Sequence, residues 1–485
     1  MEEPTIKQKT ISGLFWRYAE RCGAQGIQFV VSIVLARLLS PGDYGIIGLI
    51  TVFIALANVF ISCGFGQALV QKKDADDIDY SSVFYFNIAA AIVLYFVMFF
   101  CAPSIARFYD NMLLVPVIRI LSVTLIIGGI NSVQQAYVQK TMQFKRFFWA
   151  TLGGTIVSAF VGIAFAYSGF GVWALVAQQL TNQVIDTIIL WITVRWRPVL
   201  RFSVNRMKRL FSYGWKLLAS NLLATAYTNL HSFVIGKIYD ASQLGYYSRG
   251  WQFPAFITTN INSSINSVIL PVLVQKQNDK LQLKSVMRRS ISTSALIMFP
   301  TMAGLAAVAP SLVKLLLTDR WIPCVPILMM GCFVYAFMPI HTSNLQAINA
   351  MGRSDVFLKL EITKKLIGLL VLLITATKGI YAIAFGGVIN SISSSFINAY
   401  PNKKLVDYGY FEQICDILPS IVSSIAVFFA VFFIGFINIP QLPLLIMQVL
   451  VGTIFYLVLM EIFKFEAYVY VKNTAFEIIT GVFKK

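Results

Sequence analysis

The chain has 485 residues, 58% hydrophobic and only 12% charged, with a formal net charge of +18 and a mean hydropathy of +0.73. Soluble domains carry about twice that share of charge, so a water-soluble enzyme, a disordered chain and a fibrous one are excluded. Unbroken apolar stretches of about twenty residues suit helices that cross hydrocarbon, not a barrel of short alternating strands, and the expected class is an all-α polytopic membrane protein.

In chain order, fourteen spans are predicted at about 12–36, 44–69, 81–105, 113–138, 148–168, 171–194, 212–236, 251–274, 290–317, 323–348, 355–377, 380–400, 417–437 and 440–463. The connections are short, and the two longest, 195–211 and 275–289, are basic. With the N-terminus placed in the cytoplasm, 25 Lys and Arg fall in cytoplasmic segments and 7 on the other side. That bias is the positive-inside rule. It predicts two cytoplasmic termini and accounts for most of the +18 without nucleic acid as a partner.

The six cysteines form no CxxC pair and the two histidines, His231 and His341, are too few for a histidine metal centre. No P-loop and no cleavable signal peptide are evident. No cofactor, metal or catalytic activity is therefore expected. Asp74 to Asp77 contains a D-x-D string, read as part of a short loop in which Asp79 caps the third span.

An internal repeat runs at an offset near 200. Ser32, Val34, Arg37 and Gly45 recur as Ser232, Val234, Lys237 and Gly245. Gly171-Val172-Trp173-Ala174-Leu175 resembles Gly379-Ile380-Tyr381-Ala382-Ile383, and Gln135-Ala136 recurs as Gln346-Ala347. A repeat of six spans is even-numbered, so its copies face the same way about an axis along the membrane normal. The expected organisation is an N-terminal six-helix lobe (1–200), a second six-helix lobe (201–402), and two extra helices with a cytoplasmic tail (403–485).

Charges at membrane depth are costly and mark functional candidates. On the first span Arg17, Arg21, Gln25, Gln28 and Ser32 form one helical stripe, with Glu20 beside it. Such a stripe lines a wet cavity or snorkels to the interface. The seventh span carries Lys216, Asn221 and Asn229 in the matching place, and the eighth carries Asn262 and Asn266 among several Ser and Thr. These neutral groups suit sugar hydroxyls or interhelical hydrogen bonds. Arg119 lies in the fourth span, and Lys364 and Lys365 in the eleventh. The acids are Asp186, either a coupling residue or the mate of an Arg, and Glu361, spaced to pair with Lys364 or Lys365. Pro254, Pro271, Pro300, Pro326 and Pro339 fall within spans of the second lobe and are candidate kinks.

Several segments carry a family resemblance: Leu35-Ala36-Arg37-Leu38-Leu39-Ser40-Pro41-Gly42-Asp43-Tyr44-Gly45, Ala68-Leu69-Val70-Gln71-Lys72-Lys73-Asp74, Phe86-Asn87, Gln139-Lys140-Thr141-Met142-Gln143-Phe144-Lys145, Trp196-Arg197-Pro198, Ile235-Gly236-Lys237 and Leu244-Gly245-Tyr246-Tyr247. In these the chain resembles the oligosaccharide (O-antigen and polysaccharide) flippases of the multidrug/oligosaccharidyl-lipid/polysaccharide exporter superfamily, over about residues 10–400. Tyr239 departs from the pattern, where a small residue is usual. The resemblance implies two lobes around a central cavity, and export of a polyprenyl-diphosphate-linked oligosaccharide across the bacterial plasma (inner) membrane by alternating access. It implies membrane lipids, and a polysaccharide polymerase machinery, as neighbours. A diphosphate cargo gives Arg17, Arg21, Arg119, Lys216, Lys364 and Lys365 a reason to sit in spans. Alternatives are a lipid II flippase, a multidrug exporter and, less well suited to the short outer loops, a membrane glycan polymerase or glycosyltransferase.

Overall fold

The computed structural model describes residues 6–473 apart from 63, 64, 73 and 278. Within its helices the side chains at 6–15, 17–19, 21, 22, 62, 67, 209, 210, 212, 213 and 263–268 lie outside that description. In chain order the helices are α1 (Ile6–Leu38), α2 (Pro41–Ser62), α3 (Phe65–Gln71), α4 (Asp77–Phe108), α5 (Leu114–Leu121), α6 (Val123–Lys140), α7 (Phe144–Tyr167), α8 (Val172–Thr193) and α9 (Val204–Ile238). Then follow α10 (Ala241–Gln275), α11 (Lys280–Leu316), a 3₁₀ turn (Asp319–Cys324), α12 (Val325–Ala336), α13 (Met338–Ala350), α14 (Ser354–Thr375), α15 (Ile380–Leu405), α16 (Tyr410–Ile434) and α17 (Gln441–Phe463).

Every predicted span falls on a helix or a broken helix of this series. Among the described residues nine helical runs are long and apolar enough to cross a membrane by length and composition. The predicted spans outside those nine lie on α1, α8, α9, α10 and α14, and the described part of α1, Gly23–Leu38, is a shorter apolar helix. Helix α9 starts at Val204 and α11 at Lys280, well before the predicted limits, so much of each basic connection is helical. At 37 residues and 1.5 Å per residue, α11 is about 55 Å long, beyond a hydrocarbon core of about 30 Å.

Packing divides the chain into two compact units, Met1–Gly245 and Tyr246–Lys485. In the first, α7 lies between α1 and α8, α6 touches α2, α4 and α8, and α9 lies on α2, α3 and α4. In the second, α11 packs along α12, α16 and α17, while α15 packs on α12, α13 and α14.

Three local features recur at repeat-related positions. The fourth helical run is interrupted at Ser122 and the tenth at Phe337, each between a short helix and a longer one. Gly171 precedes α8 with φ 54°, and Gly379 precedes α15 with φ 101°. This backbone region strains residues with a Cβ, which is why glycine stands at both. At the starts of α2 and α10, a Cβ on Gly45 would lie 1.6 Å from the Ala241 carbonyl oxygen, and one on Gly245 would lie 2.1 Å from that of Pro41.

Two sequence expectations are corrected. The residue capping α4 is Asp76, with Asp79 the third-position partner of a capping box; the cap falls earlier because the helix begins before the apolar run does. Pro326 and Pro339 sit in the first turns of α12 and α13, where a missing N–H costs nothing. Pro254, Pro271 and Pro300 are helix-interior.

In the first turn of α4, Asp79 is fully buried and pairs with Lys72, with Arg206 at 3.4 Å. Arg206 also pairs with Asp76. The connection from α8 to α9 is held against α4: the Val199 N–H donates to Ser81 Oγ at 2.9 Å and the Ser203 N–H to Ser82 Oγ at 3.0 Å. Trp196 is buried against Tyr80 and Phe84.

Candidate functional site

The chemistry of the first unit gathers where α1, α2, α6, α7 and α8 meet. On α8, Gln178, Asn182 and Asp186 recur every four residues and Gln179 and Gln183 run beside them, so one helix face carries five polar groups. On α6, Asn131, Ser132 and Gln135 face the same space. Small residues let the helices approach closely. A Cβ on Gly154 of α7 would sit 2.9 Å from the Asn182 carbonyl oxygen and 3.5 Å from the Asp186 Cβ. One on Gly128 of α6 would sit 3.1 Å from Gln183 Nε2.

The result is a chamber of about 520 Å³ in which twelve of the sixteen lining residues carry amides or hydroxyls and one, Asp186, carries a carboxylate. Asn131 Nδ2 donates to Asp186 Oδ2 at 2.8 Å. Gln183 Nε2 donates to the Thr124 carbonyl at 2.9 Å, and Asn182 Nδ2 to Ser158 Oγ at 3.3 Å. Behind this wall Asn87 Nδ2 donates to Ser132 Oγ at 2.9 Å. These bonds fix the orientation of the amides. No cation among the described residues pairs with Asp186. A lining of this composition offers donors and acceptors that match hydroxyl-rich groups and a carboxylate that matches a cation.

Of the residues singled out from the sequence, Gln28 and Asp186 line this chamber together. Glu20 accepts a hydrogen bond from Thr151 Oγ1 at 3.4 Å on α7. Gln25 is half-buried on α1. The side chains of Arg17, Arg21 and Asn266 lie outside the described residues. Arg119 is not in the chamber: its guanidinium stacks on Phe99 of α4 at 4.2 Å, and its Nε donates to the Phe99 carbonyl at 3.4 Å. Lys216 is exposed on α9, where Asn221 is half-buried and Asn229 bonds back to the Thr225 carbonyl at 2.9 Å.

In the second unit Lys364 pairs with Glu361 one turn earlier, and Lys365 is half-buried beside it. Asn262 accepts a hydrogen bond from Thr342 Oγ1 at 2.9 Å. Sequence reasoning passed over His341, whose ring lies between Asn398 Nδ2 at 3.2 Å and Ser391 Oγ at 3.4 Å. It also passed over the buried amide knot of Asn344, Asn402 and Gln413. The four-residue recurrence on α8 was the available signal for the chamber. A lone Asp in that span drew attention away from its amides.

A family model described as "Polysaccharide biosynthesis protein" matches residues 34–326. The chain belongs to this family. It is 25% identical over 355 residues to the teichuronic acid biosynthesis protein TuaB of Bacillus subtilis, covering 73% of each chain. It is 24% identical over 329 residues to the succinoglycan biosynthesis transport protein ExoT of Rhizobium meliloti, covering 67% of this chain and 66% of that one. Its fold resembles that of the lipid II flippase MurJ in an inward closed conformation, with a TM-score of 0.71 at 14% identity, over 93% of this chain and 98% of the other. This family member is thus an α-helical polytopic membrane protein with a transporter fold.

Proposed function

We propose that the chain is a flippase that moves a polyprenyl-diphosphate-linked oligosaccharide, a repeat unit of a surface polysaccharide, across the bacterial plasma membrane. The observation that carries this reading is an open, amide-lined chamber between helices of the first unit, in a chain whose family serves polysaccharide biosynthesis. ExoT, similar in sequence, is named a transport protein, and MurJ, similar in fold, a flippase.

The chamber amides supply neutral donors and acceptors for sugar hydroxyls. Arg17, Arg21, Arg119, Lys216, Lys364 and Lys365 supply the cationic surface that replaces hydration of the diphosphate. Asp186, with Glu20 nearby on α1 and Glu361 in the second unit, supplies the charge change that couples transport to an ion. Two repeat lobes, 1–200 and 201–402, rock in alternation, with 403–485 as an addition and a polymerase machinery receiving the product. Both termini lie on the cytoplasmic side, as the 25-to-7 cation bias requires.

The test is expression in a mutant that lacks its polysaccharide flippase but keeps its glycosyltransferases. Restoration of the surface polymer supports the reading. Restoration of growth in a lipid II flippase knockout, with no surface polymer, overturns it.

A further inference from the structure

A cavity of about 850 Å³ lies wholly within the second unit, walled by the basic end of α11, the start of α16 and the segment 465–473 that follows α17. Its chemistry is graded along α11. Lys284, Arg288 and Arg289 come first and Ser292 and Thr293 one turn deeper, with Asp416 and Glu466 also in the wall; Ile297, 45% exposed, lies a turn beyond Thr293, outside the cavity lining. Arg289, Thr293 and Ile297 are spaced by four, so cation, hydroxyl and aliphatic group stand in one row on one helix face.

The first two cations are already neutralised. Lys284 pairs with Glu412 at 2.9 Å, and Arg288 pairs with Asp416 at 2.7 Å, whose other oxygen accepts the Tyr408 hydroxyl at 2.7 Å. Arg289 differs. Its guanidinium lies 4.3 Å from the centre of the Tyr470 ring, and among the described residues no carboxylate pairs with it. A guanidinium held by an aromatic face keeps its donor edge available for an anion.

We propose that this cavity binds the phosphodiester headgroup of an anionic membrane phospholipid. Arg289 takes the phosphate, Ser292 and Thr293 meet the glycerol-ester level, and the acyl chains run out over Ile297. The order cation, hydroxyl, aliphatic along 12 Å of helix (eight residues at about 1.5 Å each) is the order of a phospholipid from headgroup to tail. A free anion would use the first of these and leave the others idle. The wall falls where α11 leaves the hydrocarbon on the basic side, the side on which clustered Lys and Arg meet anionic headgroups. The bound lipid would fasten segment 465–473, through Tyr470, to α11. The inference rests on the membrane orientation proposed above, and not on the cargo, because it is read by lipid binding without transport.

The experiment uses the full-length protein in a neutral detergent, titrated with phosphatidylglycerol or phosphatidylcholine, with retained lipid counted by native mass spectrometry. The unaltered protein retains phosphatidylglycerol in preference. Arg289→Gln lowers that preference about tenfold, Arg289→Lys keeps most of it, and Thr293→Leu, which fills the ester level, lowers retention of both lipids. Retention unchanged in both Arg289→Gln and Thr293→Leu overturns the proposal. So does inorganic phosphate alone, if it raises the melting temperature as far as phosphatidylglycerol does, since the site would then be a plain anion site.

Discussion

Gly45 and Gly245 meet reciprocally: each stands where its own Cβ would strike the first carbonyl of the other's helix, Ala241 for one and Pro41 for the other. The two glycines are repeat partners, and so are Pro41 and Ala241. The contact is therefore a local two-fold built from duplicated sequence. Both obstacles are backbone atoms, which no side-chain rotation can move. Gly45→Ala and Gly245→Ala should each lower stability by about 1–3 kcal/mol. Gly26→Ala on α1 meets nothing within 4 Å and should be neutral or stabilising by up to about 1 kcal/mol. Denaturation midpoints of the three variants in one detergent check this, and equal midpoints would refute the close approach.

The chamber makes Asp186 distinguishable from its amides. Asp186→Asn keeps size and hydrogen bonding to Asn131 but removes the ionisable group. Export of surface polymer should fall at least about tenfold with folded protein retained. Asn131→Ala removes the 2.8 Å donor and leaves the carboxylate able to ionise, so it should cost less. Polymer yield normalised to membrane-inserted protein separates the two, and full export by Asp186→Asn would remove the residue from coupling.

The proposed cationic surface is tested by neutralising pairs: Arg17 with Arg21, Arg119 with Lys216, and Lys364 with Lys365. Each pair should abolish export without loss of folded protein. Unchanged export in every pair would reject a role for these cations in carrying the diphosphate.

The tie between α4 and the α8–α9 connection has a defined pH response. Arg206 beside Asp76 holds that carboxyl down to about 2 from an ordinary 3.8. The folded value lies below the unfolded one, so the contribution is complete above about pH 4 and fades as pH falls toward about 2. Exchange protection of the Val199 and Ser203 amides, which donate to Ser81 and Ser82, should stay flat from about pH 8 to 5 in the unaltered protein, after correction for intrinsic rates. In Arg206→Gln the protection should drop across that whole range. Protection insensitive to that substitution would show that the serine hydroxyls alone hold the connection.

Much of this architecture can be read from hydropathy, because crossing a bilayer demands about twenty apolar residues and leaves them in plain view. The proposed repeat rests on a different signal: Gly45, Gly245, Gly171 and Gly379 stand where the backbone geometry disfavours a Cβ. The chamber was half legible. Gln28 and Asp186 stood out as polar groups at depth, but Asn58, Asn131 and Gln183 come from different helices, and no spacing along one chain segment reveals that they converge. Arg119 shows the opposite limit. Its charge was conspicuous, but the Phe99 ring that receives it lies twenty residues away on another helix. The helical ends at Val204 and Lys280 escaped notice because hydropathy marks where a membrane stops, while backbone hydrogen bonding runs on.

The helical breaks at Ser122 and Phe337 stand at matching places in the two halves of the proposed repeat, whereas Asp186 has no acidic counterpart. Counting from the paired glycines before α8 and α15, the counterpart of Asp186 is Ser394, a residue that cannot ionise. On this pairing the halves share backbone features and differ in ionisable groups. A chimera carrying two copies of the first half would inherit two such breaks and two such acids and, on the coupling role proposed for Asp186, a different charge stoichiometry per cycle.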